Sequence, residues 1–263
     1  MKTYTQPYVP AWEGWKQFVC TNREHECDGT DSFYFLPADF SPCPEYQAGQ
    51  YVCVQVDSAL HGKVSRPYTI SQAPGSGMIR LTIKEAIGTD GVSEGIVSHI
   101  IHRTVKVGST VELSAPAGGF VLDDFSAEHP LVLIAGGIGI SAMLPMLEQL
   151  STEAPLRRVH LLYVARNSAN YPLRQEVKAA FAGLKNAAKG VFYTQPGEAD
   201  KIGVDYDAAG MITPDRMRSF CQDPDADFFI CGPEGFTKDM AEALKSISII
   251  EPRIHTNSFG LGI

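Results

Sequence analysis

The sequence predicts a two-part chain: a six-stranded antiparallel β-barrel followed by an α/β domain built on a parallel sheet. Two observations predict it. In the first half, short runs rich in β-branched and aromatic residues follow one another at close intervals, separated by Gly, Pro and Asp turns. In the second half the rhythm changes, and apolar runs alternate with stretches of helical periodicity. The 263 residues are enough for two domains of ordinary size, each with its own core.

Taken in order, the barrel strands are QFVCTNRE (17–24), SFYFLPA (32–38), QYVCVQV (50–56), RPYTISQ (66–72), MIRLTIK (78–84) and STVELSAP (109–116). Asp28-Gly29-Thr30, Pro42 to Pro44, Gly49 and Pro74-Gly75-Ser76-Gly77 supply the turns between them. One helical stretch, VSEGIVSHIIHRT (92–104), interrupts the last two strands. The second half opens with the strand LVLIA (131–135) and a helix running to Gln149. Strand VHLLYVA (159–165) precedes helix LRQEVKAAF (173–181), and VFYT (191–194) precedes TPDRMRSF (213–220). DFFIC (227–231) leads into helix GFTKDMAEALKSI (235–247), and strand RIHTNSF (253–259) closes the series. The acidic, proline-ended LDDFSAEHP (122–130) is the expected seam, dividing a barrel domain over 12–124 from an α/β domain over 125–263. There is no internal repeat and no low-complexity segment.

Composition narrows the function classes. A 44% hydrophobic, 20% charged chain is globular. A net charge of −8 without a basic run argues against a nucleic-acid or membrane-surface binder. No apolar stretch approaches the ~20 residues of a spanning helix, and MKTYTQPYVPAWEGW lacks the apolar core of a signal peptide. Cys20, Cys27, Cys43, Cys53, Cys221 and Cys231 form no C-x-x-C pair, which argues against a zinc or iron–sulfur site and for free thiols in a reducing cytoplasm.

Four stretches carry chemistry. LVLIAGGIGISAML (131–144) is a buried strand ending at Gly136-Gly137-Ile138-Gly139-Ile140-Ser141, with a helix behind it. Backbone N–H groups and the positive helix end converge there, and glycine lets a phosphate approach the backbone. Without that context, the stretch is only a tight turn. In Arg66-Pro67-Tyr68-Thr69, strand alternation places Arg66 and Tyr68 on one face and Thr69 on the other. The guanidinium suits a pyrophosphate and the tyrosine a planar ring; read in isolation, the pair is a surface Arg beside a core Tyr. Gly95-Ile96-Val97-Ser98 begins a helix and offers N–H donors and a hydroxyl to a phosphate, or Ser98 is an ordinary helix residue. Cys231-Gly232-Pro233 follows an apolar strand, where ligands of open α/β sheets bind, and Cys231 also reads as a buried structural thiol.

These stretches in this order resemble the ferredoxin–NADP⁺ reductase superfamily, and within it the reductase portion of flavohemoglobins (nitric oxide dioxygenases). The likeness extends over nearly the whole chain, through GWKQFVCTNRE, AGQYVCV, RPYTIS, the IKE at 83–85, GIVSHIIH, APAGGF, LIAGGIGISAML, VDYDAAGMI, CGPEGF and IHTNSFG. The resemblance implies that Tyr51 and Arg66, Pro67, Tyr68 and Thr69 bind FAD. Arg66 would meet the pyrophosphate, Tyr68 the isoalloxazine, and Thr69 the reactive flavin nitrogen. Gly95 to Ser98 would hold the FAD diphosphate, and Gly136 to Ser141 the diphosphate of NADH or NADPH. Cys231, Gly232 and Pro233 would lie beside the nicotinamide, with Phe259 stacked on the flavin. The chain departs from the family pattern at Ser141-Ala142, where Thr-Pro is common. It also departs in lacking a globin domain before Trp12 and the cluster cysteines of ferredoxin-fused reductases. Nitric oxide dioxygenation is therefore not carried over.

The implied activity is that of an FAD-dependent NAD(P)H oxidoreductase: hydride passes from the nicotinamide to FAD, and electrons leave to a separate redox acceptor, a heme protein, an iron–sulfur protein or a flavin. Thr69, Glu85, Cys231 and Phe259 are the candidates nearest the reacting rings. Arg166, after the second parallel strand, suits a 2′-phosphate and points to NADPH, whereas the flavohemoglobin likeness points to NADH. Two other readings remain: a regulatory module that holds FAD without turnover, and the isolated reductase piece of a flavohemoglobin.

Overall fold

The computed structural model describes residues 10–86, 95–122, 128–220, 223 and 225–259. The first half forms β1 (Lys16–Cys27), β2 (Thr30–Pro37), β3 (Tyr51–Ser58), β4 (Gly62–Thr69), β5 (Ile79–Lys84) and β6 (Thr110–Leu113), with helix α1 (Ile96–Thr104) before β6. Their order in the sheet is β4-β3-β6-β1-β2-β5, and every pairing is antiparallel. The two edges meet: Ile70 bridges Leu81, and the Ser71 N–H donates to the Arg80 carbonyl at 2.8 Å. That contact closes the sheet into a barrel and leaves no exposed edge over those residues. Phe18, Phe33, Val52 and Leu81 fill its interior, each fully buried. Helix α1 covers one opening because Val97 and Ile101, one turn apart, present a single apolar stripe to that core.

The second half forms β7 (Leu131–Gly136), α2 (Ile140–Glu153), β8 (Arg158–Ala165), α3 (Arg174–Gly183) and β9 (Asn186–Tyr193). It continues with β10 (Ala208–Ala209), α4 (Pro214–Phe220), β11 (Asp227–Pro233), α5 (Glu234–Ser246) and β12 (Ile254–Phe259). The sheet order is β10-β9-β8-β7-β11-β12, all parallel. Both faces are covered, which explains the unbroken apolar runs. In β7, Leu131, Leu133 and Ala135 join the core beneath α2 and α3, while Val132 and Ile134 join the core beneath α4 and α5. The chain leaves β7 toward β8 on one side and reaches β11 on the other, so the direction of winding reverses between β7 and β11.

The expected elements recur with shifted bounds: β4 runs Gly62–Thr69 where 66–72 is expected, and β6 runs Thr110–Leu113 where 109–116 is expected. Strand β9 starts at Asn186, five residues before the expected 191, and β10 has no counterpart in the sequence reading. The first half of β9 pairs with β8 from Arg158↔Asn186 onward but is largely solvent-facing, so backbone hydrogen bonds build it without a hydrophobic signal. Much of the expected seam, residues 123–127, lies outside the described residues, as do 92–94 of the helical stretch and Cys221. The two halves share apolar surface, since Ala48 and Leu122 are part of the core beneath α2, with Phe120 packed against it. No described helix is long and apolar enough to cross a membrane.

Candidate cofactor-binding cleft

Strand β4 carries the first group of expected residues. Arg66 and Pro67 are exposed, Tyr68 is half-buried and Thr69 buried, so burial deepens along the strand instead of alternating. Across the ladder Thr69 pairs with Tyr51, Tyr68 with Val52 and Arg66 with Val54. The Arg66 guanidinium stays beside its own strand, where Nη1 donates to the Ser65 carbonyl at 2.9 Å. Burial pushes the Tyr68 hydroxyl well above its ordinary range, against the opposing pull of Arg66, so this ring remains neutral. Beside Tyr51, residue Ala117 exchanges two backbone hydrogen bonds with it, at 2.9 and 2.8 Å. A Cβ on Gly118 would stand 2.9 Å from the Tyr51 ring. The loop APAGGF is thus built to receive that aromatic, a function beyond what its sequence alone announces.

The second group gathers at the start of α1. Gly95 occupies the cap position without a side-chain hydrogen bond, and the first turn contains no acidic residue. The buried Ser98 hydroxyl is engaged internally: Oγ donates to the Gly95 carbonyl at 2.8 Å and accepts from the Ala86 N–H at 3.1 Å. Ser98 therefore shapes the turn, and the donors available to a ligand are backbone N–H groups. Glu85 next to it pairs with His99 Nδ1 at 2.8 Å, a partner the sequence reading did not identify.

The third and fourth groups converge where the sheet reverses direction. Gly139 caps α2, again with no side-chain cap and no acidic residue in the first turn. Gly137 adopts φ +55° and has open space where a Cβ would stand. Cys231 and Gly232 lie against this turn: a Cβ on Gly139 would fall 2.1 Å from the Cys231 carbonyl oxygen. Beneath them the Phe236 ring supports Gly136 and Gly232, at 2.9 and 2.7 Å from where their Cβ atoms would be. The Cys231 side chain is fully buried, and burial raises its thiol far above the ordinary value, outweighing the lowering by the Gly232 backbone. It is a neutral thiol, not a nucleophile. Pro233 pairs with Phe259 along β11 and β12; the Phe259 side chain lies outside the described residues. Arg166 is exposed just past the end of β8, one strand over from the glycine turn. The Gly137–Gly139 turn also lies against β5 of the barrel, which places it at the joint between the two halves.

An uncapped helix start holds anions because its first N–H groups have no partner inside the helix. Among the five described helices, α1 and α2 combine a glycine cap with an acid-free first turn, whereas α3, α4 and α5 place Glu176, Asp215 and Glu234 there. Each half of the molecule thus offers one anion-binding helix start, beside a planar-ring platform in the barrel and a second glycine turn in the sheet. Two such helix starts suit the phosphates of two separate ligands.

Comparison with known proteins agrees. Residues 21–122 match the family described as Oxidoreductase FAD-binding domain, and residues 133–242 match Oxidoreductase NAD-binding domain. The chain thus carries an FAD-binding and an NAD-binding oxidoreductase domain and has the ferredoxin-reductase-like fold. It is 34% identical over 254 residues to the Flavohemoprotein of Bordetella pertussis, covering 96% of this chain and 62% of that protein. With the Flavohemoprotein of Rhizobium meliloti the identity is 35% over 252 residues, covering 95% and 62%. The chain therefore spans under two thirds of these relatives. Among solved structures, the Flavohem-like-FAD/NAD Binding Domain of Nitric Oxide Dioxygenase from Vibrio cholerae superposes with a TM-score of 0.79 at 28% identity, covering 93% of this chain and 98% of that one. The cytochrome b5 reductase domain of Ulva prolifera nitrate reductase shares the fold, with a TM-score of 0.80 at 21% identity and coverage of 95% and 100%.

Proposed function

We propose that the protein takes hydride from NADH or NADPH onto FAD and releases electrons to a separate acceptor. The observation that carries this reading is the meeting of Gly139 with Cys231 at the reversal of the sheet, beside a barrel that has its own anion-binding helix start. In this reading residues 12–124 hold the flavin and 125–263 the nicotinamide nucleotide. Bound FAD supplies the exchange of one or two electrons that no side chain here can perform. Arg66 pairs with the FAD pyrophosphate, the N–H groups of Ile96 to Ser98 share that charge while the Gly95 N–H is held by the Ala86 carbonyl, and Tyr51 and Tyr68 give flat surfaces to the ring system. Thr69 sets its hydroxyl or backbone near the reactive flavin nitrogen, with Glu85 held by His99 nearby. The N–H groups of Gly136 to Ser141 take the nicotinamide nucleotide's diphosphate. Glu234 opens α5 with a negative charge, so the Cys231–Pro233 turn suits the neutral face of the nicotinamide and not a phosphate. Phe259 covers the flavin where the nicotinamide arrives.

The end of β8 offers both kinds of nucleotide contact. Arg166 provides a guanidinium for a 2′-phosphate. Asp200, bonded to the Gly197 N–H at 2.7 Å, provides a carboxylate for a ribose hydroxyl. Because its relatives are flavohemoproteins, the acceptor we favour is a heme protein, with an iron–sulfur protein or another flavin as alternatives. Free thiols at all five described cysteines fit a reducing compartment, and we place the protein in the cytoplasm.

Anaerobic mixing of the yellow holoprotein with NADH and, separately, NADPH tests the reading. Rapid bleaching of the flavin absorbance is expected. If neither nucleotide bleached it, the protein would be a flavin-holding module without turnover. In R166A, a KM rise of about tenfold confined to NADPH would mark Arg166 as a 2′-phosphate ligand, while equal changes for both nucleotides would make it a surface charge.

A further inference from the structure

The flavin and nicotinamide sites stand on different halves of the chain, so the distance between the rings depends on how the halves are joined. Besides apolar contact and two hydrogen bonds, from the Leu173 N–H to Glu26 and from the Asp28 N–H to the Ala169 carbonyl, each at 3.0 Å, the joint has a buried cation. Arg80 of β5 is 5% exposed. Its Nε donates to the Ser71 carbonyl at 3.1 Å, and Nη2 donates to the same oxygen. Its two terminal nitrogens stand 3.7 Å from Glu148 of α2 and 3.6 Å from Glu176 of α3. Glu148 also accepts the Ala73 N–H at 2.6 Å, two residues past Ser71 on the loop that follows β4. One guanidinium therefore ties together the strand carrying Arg66 to Thr69, the helix that starts at the nicotinamide-phosphate turn, and the next helix along.

We infer that Arg80, with Glu148 and Glu176, is a positioning group for hydride transfer: it sets the approach of the nicotinamide to the flavin without touching either ring. This rests on the proposed reductase function. Glu148 lies eight residues beyond Ile140, about 12 Å along α2 at 1.5 Å per residue, with Pro145 between them. A small tilt of α2 about that contact displaces the phosphate turn by an amount that matters, since a misplacement of roughly 1 Å costs on the order of 100-fold in rate. Apolar contact resists separation of the halves but not sliding, whereas a buried guanidinium, forked on the Ser71 carbonyl and within ion-pair range of two carboxylates, resists both.

The test measures the flavin-reduction rate at saturating NADH or NADPH in anaerobic stopped flow, alongside FAD content and melting temperature. In R80M the rate is expected to fall about 10- to 100-fold, with FAD content per chain unchanged and KM altered less than about threefold. R80K, which keeps the charge but not the fork, recovers part of the loss. E148Q slows the same step, and the double variant R80M/E148Q is no slower than R80M, because residues acting as one unit are not additive. If R80M fails to fold, E148Q and E176Q carry the same comparison. Wild-type rates in R80M or in E148Q, or slowing only in proportion to lost FAD, would overturn the inference. Absence of reduction in the wild-type protein would instead overturn the reductase reading itself.

Discussion

Gly139 lies directly against the carbonyl of Cys231, so closely that a Cβ would come within 2.1 Å of its oxygen. The two turns that border the proposed nicotinamide site are thus one packed unit. In G139A backbone must move, because a carbonyl cannot rotate away as a long side chain would. Overpacking of this kind costs about 1–3 kcal/mol. The displaced N–H groups should raise KM for NADH and NADPH at least roughly tenfold, while the barrel keeps its FAD. Steady-state kinetics on variant matched for flavin content provide the check; an unchanged KM would show that this turn does not hold the nucleotide.

Arg66 stands exposed on β4 with the buried Thr69 three residues on, so its side chain contributes little to the barrel core. Replacing it with alanine should leave the fold intact yet weaken FAD binding by about 1.5–3 kcal/mol, the worth of a charge-assisted hydrogen bond. The absorbance ratio at 450 and 280 nm of purified R66A, with added FAD titrated back, measures this. Protein as yellow as wild type would remove Arg66 from the flavin site.

The order of strands and helices is legible because strand-like runs crowd the first half, while apolar runs alternate with helical periodicity in the second. The run Leu131 to Ala135 reads as a strand buried on both faces, and it is one. The first half of β9 is not legible, since Asn186 to Lys189 are mostly exposed and join the sheet chiefly through backbone bonds. Glycine turns pointed to the site, yet they could not reveal that Gly139 touches Cys231, a contact across 92 positions of chain. Arg80 and Glu148 were equally silent: nothing local marks a surface-type residue in a strand as buried against a helix 68 positions later. Long-range polar pairing has no period, and only the assembled fold brings its members together.

Cys231 is fully buried, and its thiol is raised far above the ordinary range. A mechanism needing a thiolate would show flavin-reduction rates climbing with pH through the thiol range near 8–9. The neutral, packed thiol found here predicts a flat profile between pH 6 and 9. It also predicts that iodoacetamide leaves Cys231 unmodified in the native protein while labelling it after unfolding. Peptide mapping by mass spectrometry separates the two outcomes, and native labelling of Cys231 would restore it as a reactive group.

Asp31 joins the barrel to the end of α1. It accepts Arg23 Nε and Nη2 at 2.8 and 2.6 Å, pairs with His25 Nδ1 at 3.0 Å, and faces His102 Nδ1 at 3.7 Å; Arg23 Nη1 also donates to the His102 and Val105 carbonyls. Burial alone would raise the Asp31 carboxyl, but the hydrogen bonds from His25 and Arg23 outweigh it and hold the group below its ordinary 3.8. A depressed carboxylate stabilises the fold above its unfolded value, and that stability is lost as pH falls through the folded value. Melting temperature should accordingly drop between pH 5 and pH 3. D31N should cost about 1.5–3 kcal/mol at pH 7, and at roughly 2–4 °C per kcal/mol lower the melting temperature by about 5 °C. The variant should show a shallower acid limb. Calorimetric scans at pH 7, 5 and 3 decide it: if D31N and wild type melt in parallel at all three, the cluster around Asp31 contributes nothing to acid stability.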